Sequence, residues 1–406
     1  MNPVLPQELS NIIVDHLDDR PTLTSCALVN KAWLHHARFH IFFRVVARYN
    51  MHKPELIRRS ESEYGFLTDI ISLGEDITNL VREVHLTASL IYPAAPLFES
   101  LVATLLRSFP KLTSLVLEQV EFKFTEPTIS FDPPPLPNSL RRLTLHKCSS
   151  TPDQLITLLE SIPYLEDLRL LDHHLHKKGH TTPATQVAST ISRHSLTSLC
   201  LDGMAWPRFF IGGLEPSPSR LKNFNVTIYA LAFWGLADEF IYSSAGSIHH
   251  LHFIIEHLPP DDPCDFIITQ SVRSISLRIF ASICTWSMAN PLPFFDWKRR
   301  ALSQFGLVLR ILRRLPSTFV THFEVQIVYS DSDPADLLAD FQWHTFDMTL
   351  KGLVKLEGIT FSGSITRTDS NSTNDLEHSI RVPLPDQWKA FLRAKLPLSS
   401  RILGFK

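Results

Sequence analysis

The sequence predicts an α/β protein: a short N-terminal helical unit, then a long, irregular array in which strands and helices alternate. Three observations carry this reading. A triad spaced as apolar, two others, apolar, one other, apolar recurs ten times. Several segments between the triads carry a helical period, and residues 5–45 place their apolar side chains at helical spacing.

At the N-terminus Leu5 precedes Pro6, which suits the first helical position, and Glu8 sits in the first turn where a helix favours negative charge. Leu9, Ile12, Ile13 and Leu17 follow on one apolar face, and Asp18-Asp19-Arg20-Pro21 ends that helix. A second pattern runs through Leu23, Ala27, Leu28, Val29, Trp33 and Ala37 to the bulky group Ile41, Phe42 and Phe43. Two or three short helices result, spanning residues 1–48. Fewer than ~40 residues rarely make a self-sufficient core, so this unit must dock on something.

The triads begin at Val81, Leu112, Leu140, Leu165, Leu196, Leu221, Ile248, Val272, Val320 and Leu356, most of them 24 to 31 residues apart. That spacing leaves room for one strand, a turn and one helix. Helical periods appear in "LFESLVATLLRSF", "PDQLITLLESI", "GLADEFIYSSA" and "FGLVLRILRRL". The gap of 48 between Val272 and Val320 is twice 24, and a repeat is expected to be missing or unrecognisable there. Each repeat alone exposes an apolar face, and stacking buries it. Polar and Pro-rich stretches at 127–139, 177–185, 215–220 and 369–379 read as surface loops. "SMANPLPFFDWKRR" reads as an aromatic interruption, with Phe294, Phe295 and Trp297 packed in a loop.

Within residues 5–45 the order Leu-Pro-x-Glu-Leu, an apolar pair, Leu17, then Val29 and Trp33 resembles the F-box. The resemblance implies that this unit binds a Skp-family adaptor, which joins it to a cullin scaffold and places the rest of the chain as substrate receptor of a ubiquitin ligase. By matching position, Leu5, Pro6, Leu9, Ile12, Ile13, Leu17, Leu28, Val29 and Trp33 face the adaptor or support that face. The triads resemble leucine-rich repeats, whose strands form a parallel sheet on a concave side while helices cover the convex side. The strict repeat carries Asn or Cys at its ninth position, and here only Cys148 fits. The expectation is therefore a degenerate solenoid over 49–406, ended by a capping helix in "PDQWKAFLRAKL".

Composition excludes several classes. With 39 basic and 41 acidic residues and a net charge of −2, the chain has no electrostatic footprint for nucleic acid or an anionic membrane. No signal peptide or spanning segment is evident, which points to the cytoplasm or nucleus. The five cysteines are far apart and read as reduced thiols, and the Asn225-Val-Thr and Asn371-Ser-Thr tripeptides read as chance. G-x-S-x-G, phosphate-loop and H-E-x-x-H patterns are absent, so no catalysis and no cofactor is expected.

"SDSDPAD", with Asp331, Asp333 and Asp336, lacks the glycine and closing glutamate of a calcium loop and reads as a solvated turn. "HHLH" occurs at His173–His176 and His249–His252, over 70 residues apart, and is not expected to bind metal.

The residues between core positions of the strands supply the candidate substrate face: Glu118, His146, Arg169, Asp202, His252 and Arg278. Their mixed charge suits a folded protein or peptide. The resulting expectation is a non-catalytic substrate receptor. A repeat scaffold whose helices only cap the array is the alternative, and an enzyme with a site spread across repeats is a weaker third class.

Overall fold

The last two members of each triad lie two residues apart and so point to one side of an extended chain, which is what a strand covered on one face requires. The computed structural model describes residues 7–17, 19–29, 31–49, 65–88, 95–97, 105, 107–122, 139–175, 184–202, 220–228, 240–241, 247–255, 271–280, 294–315, 320–328, 336, 338–367, 378–399 and 401–405. The chain is a mixed α/β protein whose strands pair mostly in parallel, and it divides into two compact units, Met1–Thr182 and Pro183–Lys406.

The first unit opens with α1 (Gln7–Asp15), α2 (Arg20–Val29) and α3 (Lys31–Phe43). Asp19, expected to end α1, also starts α2, since its Oδ1 accepts the Thr22 amide at 2.8 Å. There follow β1 (Arg44–Tyr49), α4 (Gly65–Ser72), α5 (Glu75–Thr78), β2 (Glu83–Ala88), β3 (Ala95–Leu97), β4 (Ser114–Glu118) and β5 (Val120–Phe122). The unit continues through β6 (Arg142–His146), β7 (Ser149–Ser150), α6 (Pro152–Glu160), β8 (Asp167–Leu171) and β9 (His174–Leu175). Strands β1, β2, β4, β6 and β8 pair in parallel in that order. A second small parallel sheet runs β3, β5, β7, β9.

The regularity of this unit has a local cause. Gln119, Lys147 and Asp172 hold the same place after successive strands and all adopt positive φ, near 50°, which turns the chain from one sheet into the other. The Gln119 and Lys147 amides each donate at 2.8 Å to the next strand, to His146 O and Leu171 O. The ninth position then points inward as Val120, Cys148 and His173, all buried. The Cys148 thiol donates to Leu117 O on the neighbouring strand at 3.2 Å. Thr151 and Gln154 form a reciprocal capping box at the start of α6, with Pro152 in its first turn.

The second unit comprises α7 (Ala184–Arg193), β10 (Ser198–Asp202), β11 (Asn223–Ile228), β12 (His250–Ile255), β13 (Ser274–Phe280), α8 (Phe294–Arg314), β14 (His322–Val328) and α9 (Trp343–Gly352). It ends with β15 (Gly358–Arg367), β16 (His378–Val382), α10 (Asp386–Lys395) and β17 (Leu403–Phe405). Strands β10 to β15 pair in parallel in sequence order. The missing repeat resolves here: β13 pairs directly with β14, and the described part of the gap is the 21-residue helix α8. That helix takes in residues 294–300, which the sequence placed in a loop; the side chains of Phe294, Phe295 and Trp297 lie outside the described residues.

Every member of the ten triads is buried. An eleventh was overlooked at Phe42, Val45 and Ala47, where β1 pairs Val45 with Val84 and Ala47 with Leu86. One backbone device recurs beneath them. The second-position carbonyl of one repeat accepts amides from the second and third positions of the next, as Arg82 O does from Thr113 and Ser114 and Arg273 O from Thr321 and His322.

The C-terminal helix forms as expected, with Trp388, Leu392 and Leu396 buried, but the outer edge of β15 is paired by strands. Strand β16 runs antiparallel to its far half and β17 parallel to its near half. Buried Asp347 on α9 holds this end, its carboxylate accepting the Leu398 amide (2.9 Å), the Ser399 amide (3.0 Å) and the Ser399 hydroxyl (2.6 Å). Among the described residues no helix is long and apolar enough to cross a membrane.

Candidate functional site

Helices α1 to α3 enclose a small core of Val14, Leu23, Cys26 and Ala37, with Leu17, Ala27, Trp33 and Ile41 packed around it. Of the four large apolar residues on α1, Val14 alone turns inward. Leu9, Ile12 and Ile13 are 48%, 51% and 43% exposed, and Leu28 and Val29 at the end of α2 are 82% and 67% exposed. These five of the nine expected adaptor residues therefore present apolar surface to solvent. Leu17 and Trp33 support from within, and Leu5 and Pro6 lie outside the described residues. Full burial of a side chain of this size is worth about 1.5–3 kcal/mol, and the half-exposed ones would gain a part of that against a partner.

The candidate substrate residues fall in both units, three in each. In the first unit β4 sets Glu118 between Thr87 on β2 and His146 on β6. Its Oε2 accepts from His85 Nε2 at 3.0 Å and its Oε1 from His146 Nδ1 at 3.1 Å. Those two bonds, that of His146 foremost, hold the carboxyl well below the usual carboxylate range against the opposing effect of burial. Arg169 reaches back along its own strand to Asp167, with Nη2 3.1 Å from Oδ2, and remains about half exposed.

In the second unit His252 lies in register between Asn225 and Ser276. Arg278 Nε donates to Gln326 Oε1 at 2.8 Å. Beside them Glu324 accepts from Ser362 Oγ (2.9 Å) and Ser276 Oγ (3.4 Å). Asp202 ends β10 and is partly exposed. Thr227, Gln326 and Ser362 on these strands are buried, and among the described residues Asn225 Oδ1 and Thr227 Oγ1 have no hydrogen-bond partner.

His173 is a core residue, bonded through Nε2 to Ser150 Oγ at 2.8 Å and tilted against Phe122. Burial pushes the Cys148 thiol up to about 12, so it is no nucleophile at neutral pH. Asp336 is exposed, while Asp331 and Asp333 lie outside the described residues.

Two features had no part in the sequence reading. A groove of about 700 Å3 along α8 is lined by Lys298, Arg299, Arg310 and Arg313, with Lys298 paired to Asp340 at 2.6 Å. The other is a group of three metal-capable atoms, from Asp15 on α1 and from His36 and His40 on α3. The His-x-x-x-His spacing on an apolar helix was the signal available for it.

No model of a known protein family matches the chain, and no curated protein matches its sequence significantly.

Proposed function

We propose that this chain is the substrate-recognition subunit of a ubiquitin ligase of the Skp–cullin–F-box type. In this reading the N-terminal helices dock on a Skp-family adaptor, the strand array is a degenerate leucine-rich-repeat solenoid, and its polar strand face selects a protein substrate. The chain performs no chemistry itself. One observation carries the reading: α1 and the end of α2 hold Leu9, Ile12, Ile13, Leu28 and Val29 outside the three-helix core and exposed. Apolar surface gathered on so short a segment marks an interaction site. The order of residues around it is the one that resembles the F-box.

Co-expression with a Skp adaptor tests the docking. The wild-type chain co-purifies with it. The Leu9→Asp/Ile12→Asp chain melts within a degree or so of wild type and does not co-purify, because a charge is cheap on an exposed helix and costly in a dry interface. Retained co-purification would reject this face. Collapse of the fold would favour a helical cap on a repeat scaffold.

A further inference from the structure

The core of α1–α3 is small for three helices, with four buried residues, one of them the free cysteine Cys26. Helical units of this size usually need a metal, a disulfide or a partner to hold them. One place on this unit brings ligand atoms together across helices. His36 and His40 are one turn apart on α3 and project from the same face. Their Nε2 atoms lie 2.7 Å and 2.8 Å from the same oxygen, Asp15 Oδ1, at the C-terminal end of α1. A carboxylate oxygen only accepts, so both rings must direct a proton at one atom.

We propose that Asp15, His36 and His40 bind a divalent transition-metal cation of the zinc class, which cross-links α1 to α3. Two imidazole nitrogens and a carboxylate oxygen are ligands that zinc takes at about 2.0–2.2 Å. A tetrahedral ion at that distance sets neighbouring ligand atoms roughly 3.3 Å apart. The three atoms already lie within 4.8 Å of one another, so small side-chain rotations suffice. Each neutral ring then carries its proton on Nδ1 and turns the Nε2 lone pair to the cation, and no proton is lost. The Asp15 side chain is half exposed and the two rings about a quarter exposed, which leaves the fourth position open to water. The site stands independently of any adaptor, because its ligands belong to α1 and α3 alone.

The test uses the full chain stripped with chelator and titrated with zinc by calorimetry, alongside His36→Gln/His40→Gln and Asp15→Asn chains. The wild type should bind one equivalent more than the double variant, and its melting temperature should rise with zinc where the double variant's does not. Asp15→Asn, which keeps a hydrogen-bond acceptor, should lower affinity for that equivalent at least ~10-fold. It decides the matter if the double variant fails to fold. Cobalt in place of zinc should give the intense visible bands of a low-coordinate ion in the wild type alone. Equal stoichiometry and affinity in wild type and Asp15→Asn would overturn the proposal.

Discussion

Glu118 accepts from two imidazoles on neighbouring strands, so its charge is held by partners that three separate repeats must bring together. Because its folded carboxyl lies below the ordinary range, its contribution is complete above about pH 4.3 and is lost as pH falls toward the folded value. Glu118→Gln should therefore lower stability by about 2 kcal/mol at pH 7, and the gap to wild type should close on acidification, read by denaturant unfolding at several pH values. A pH-independent gap would show that shape, not charge, matters at this position. Strand periodicity placed Glu118 and His146 on one face, but which neighbours they touch depends on register, which no single repeat encodes. The Asp15–His36–His40 group was harder still to foresee, since its members lie on two helices and meet only through their packing. In the proposed reading, Arg169→Glu on β8 combined with Arg278→Glu on β13 should reduce captured substrate in affinity purification while leaving folding and adaptor binding intact. An unchanged set of captured proteins would move the substrate site elsewhere.

At the scale of elements, the triads were legible because burial of three residues at fixed spacing is a demand on each strand separately. Strand β1 was missed for a small reason: Ala47 fills the last core position and carries little hydrophobic signal. Strands β16 and β17 carry no triad, because they pair at the edge of β15 and answer to that edge, not to a stacked neighbour. The gap after Val272 read as a lost repeat because spacing alone cannot distinguish a strand from a long helix. Asp347 was invisible as a single acidic residue in an apolar helix, although three hydrogen bonds from residues some fifty positions later make it the latch of the C-terminal end. Asp347→Ala removes the acceptor of two amides, that of Ser399 buried, and the nearer acceptor of the Ser399 hydroxyl, and should cost about 3 kcal/mol, read as a lowered denaturation midpoint. Hydrogen exchange in that variant should quicken first in β17 and α10. A uniform change across the second unit would deny the latch.

At the scale of the whole molecule, a segment that displays apolar surface precedes strands that bury theirs. Within the strands the triads leave no large side chain of the core positions exposed, whereas α1 and α2 leave five in twenty-one residues, Leu9 to Val29. That contrast makes docking of the helices the central claim. The measurement that tests it most directly is calorimetric titration of a purified Skp-family adaptor into the purified full chain, with the Leu9→Asp/Ile12→Asp chain as comparison. The account predicts saturable one-to-one binding to the wild type, weakened in the double variant by at least ~2 kcal/mol, about thirtyfold in Kd. Heat of dilution alone from the wild type, or equal affinity for both chains, would contradict it.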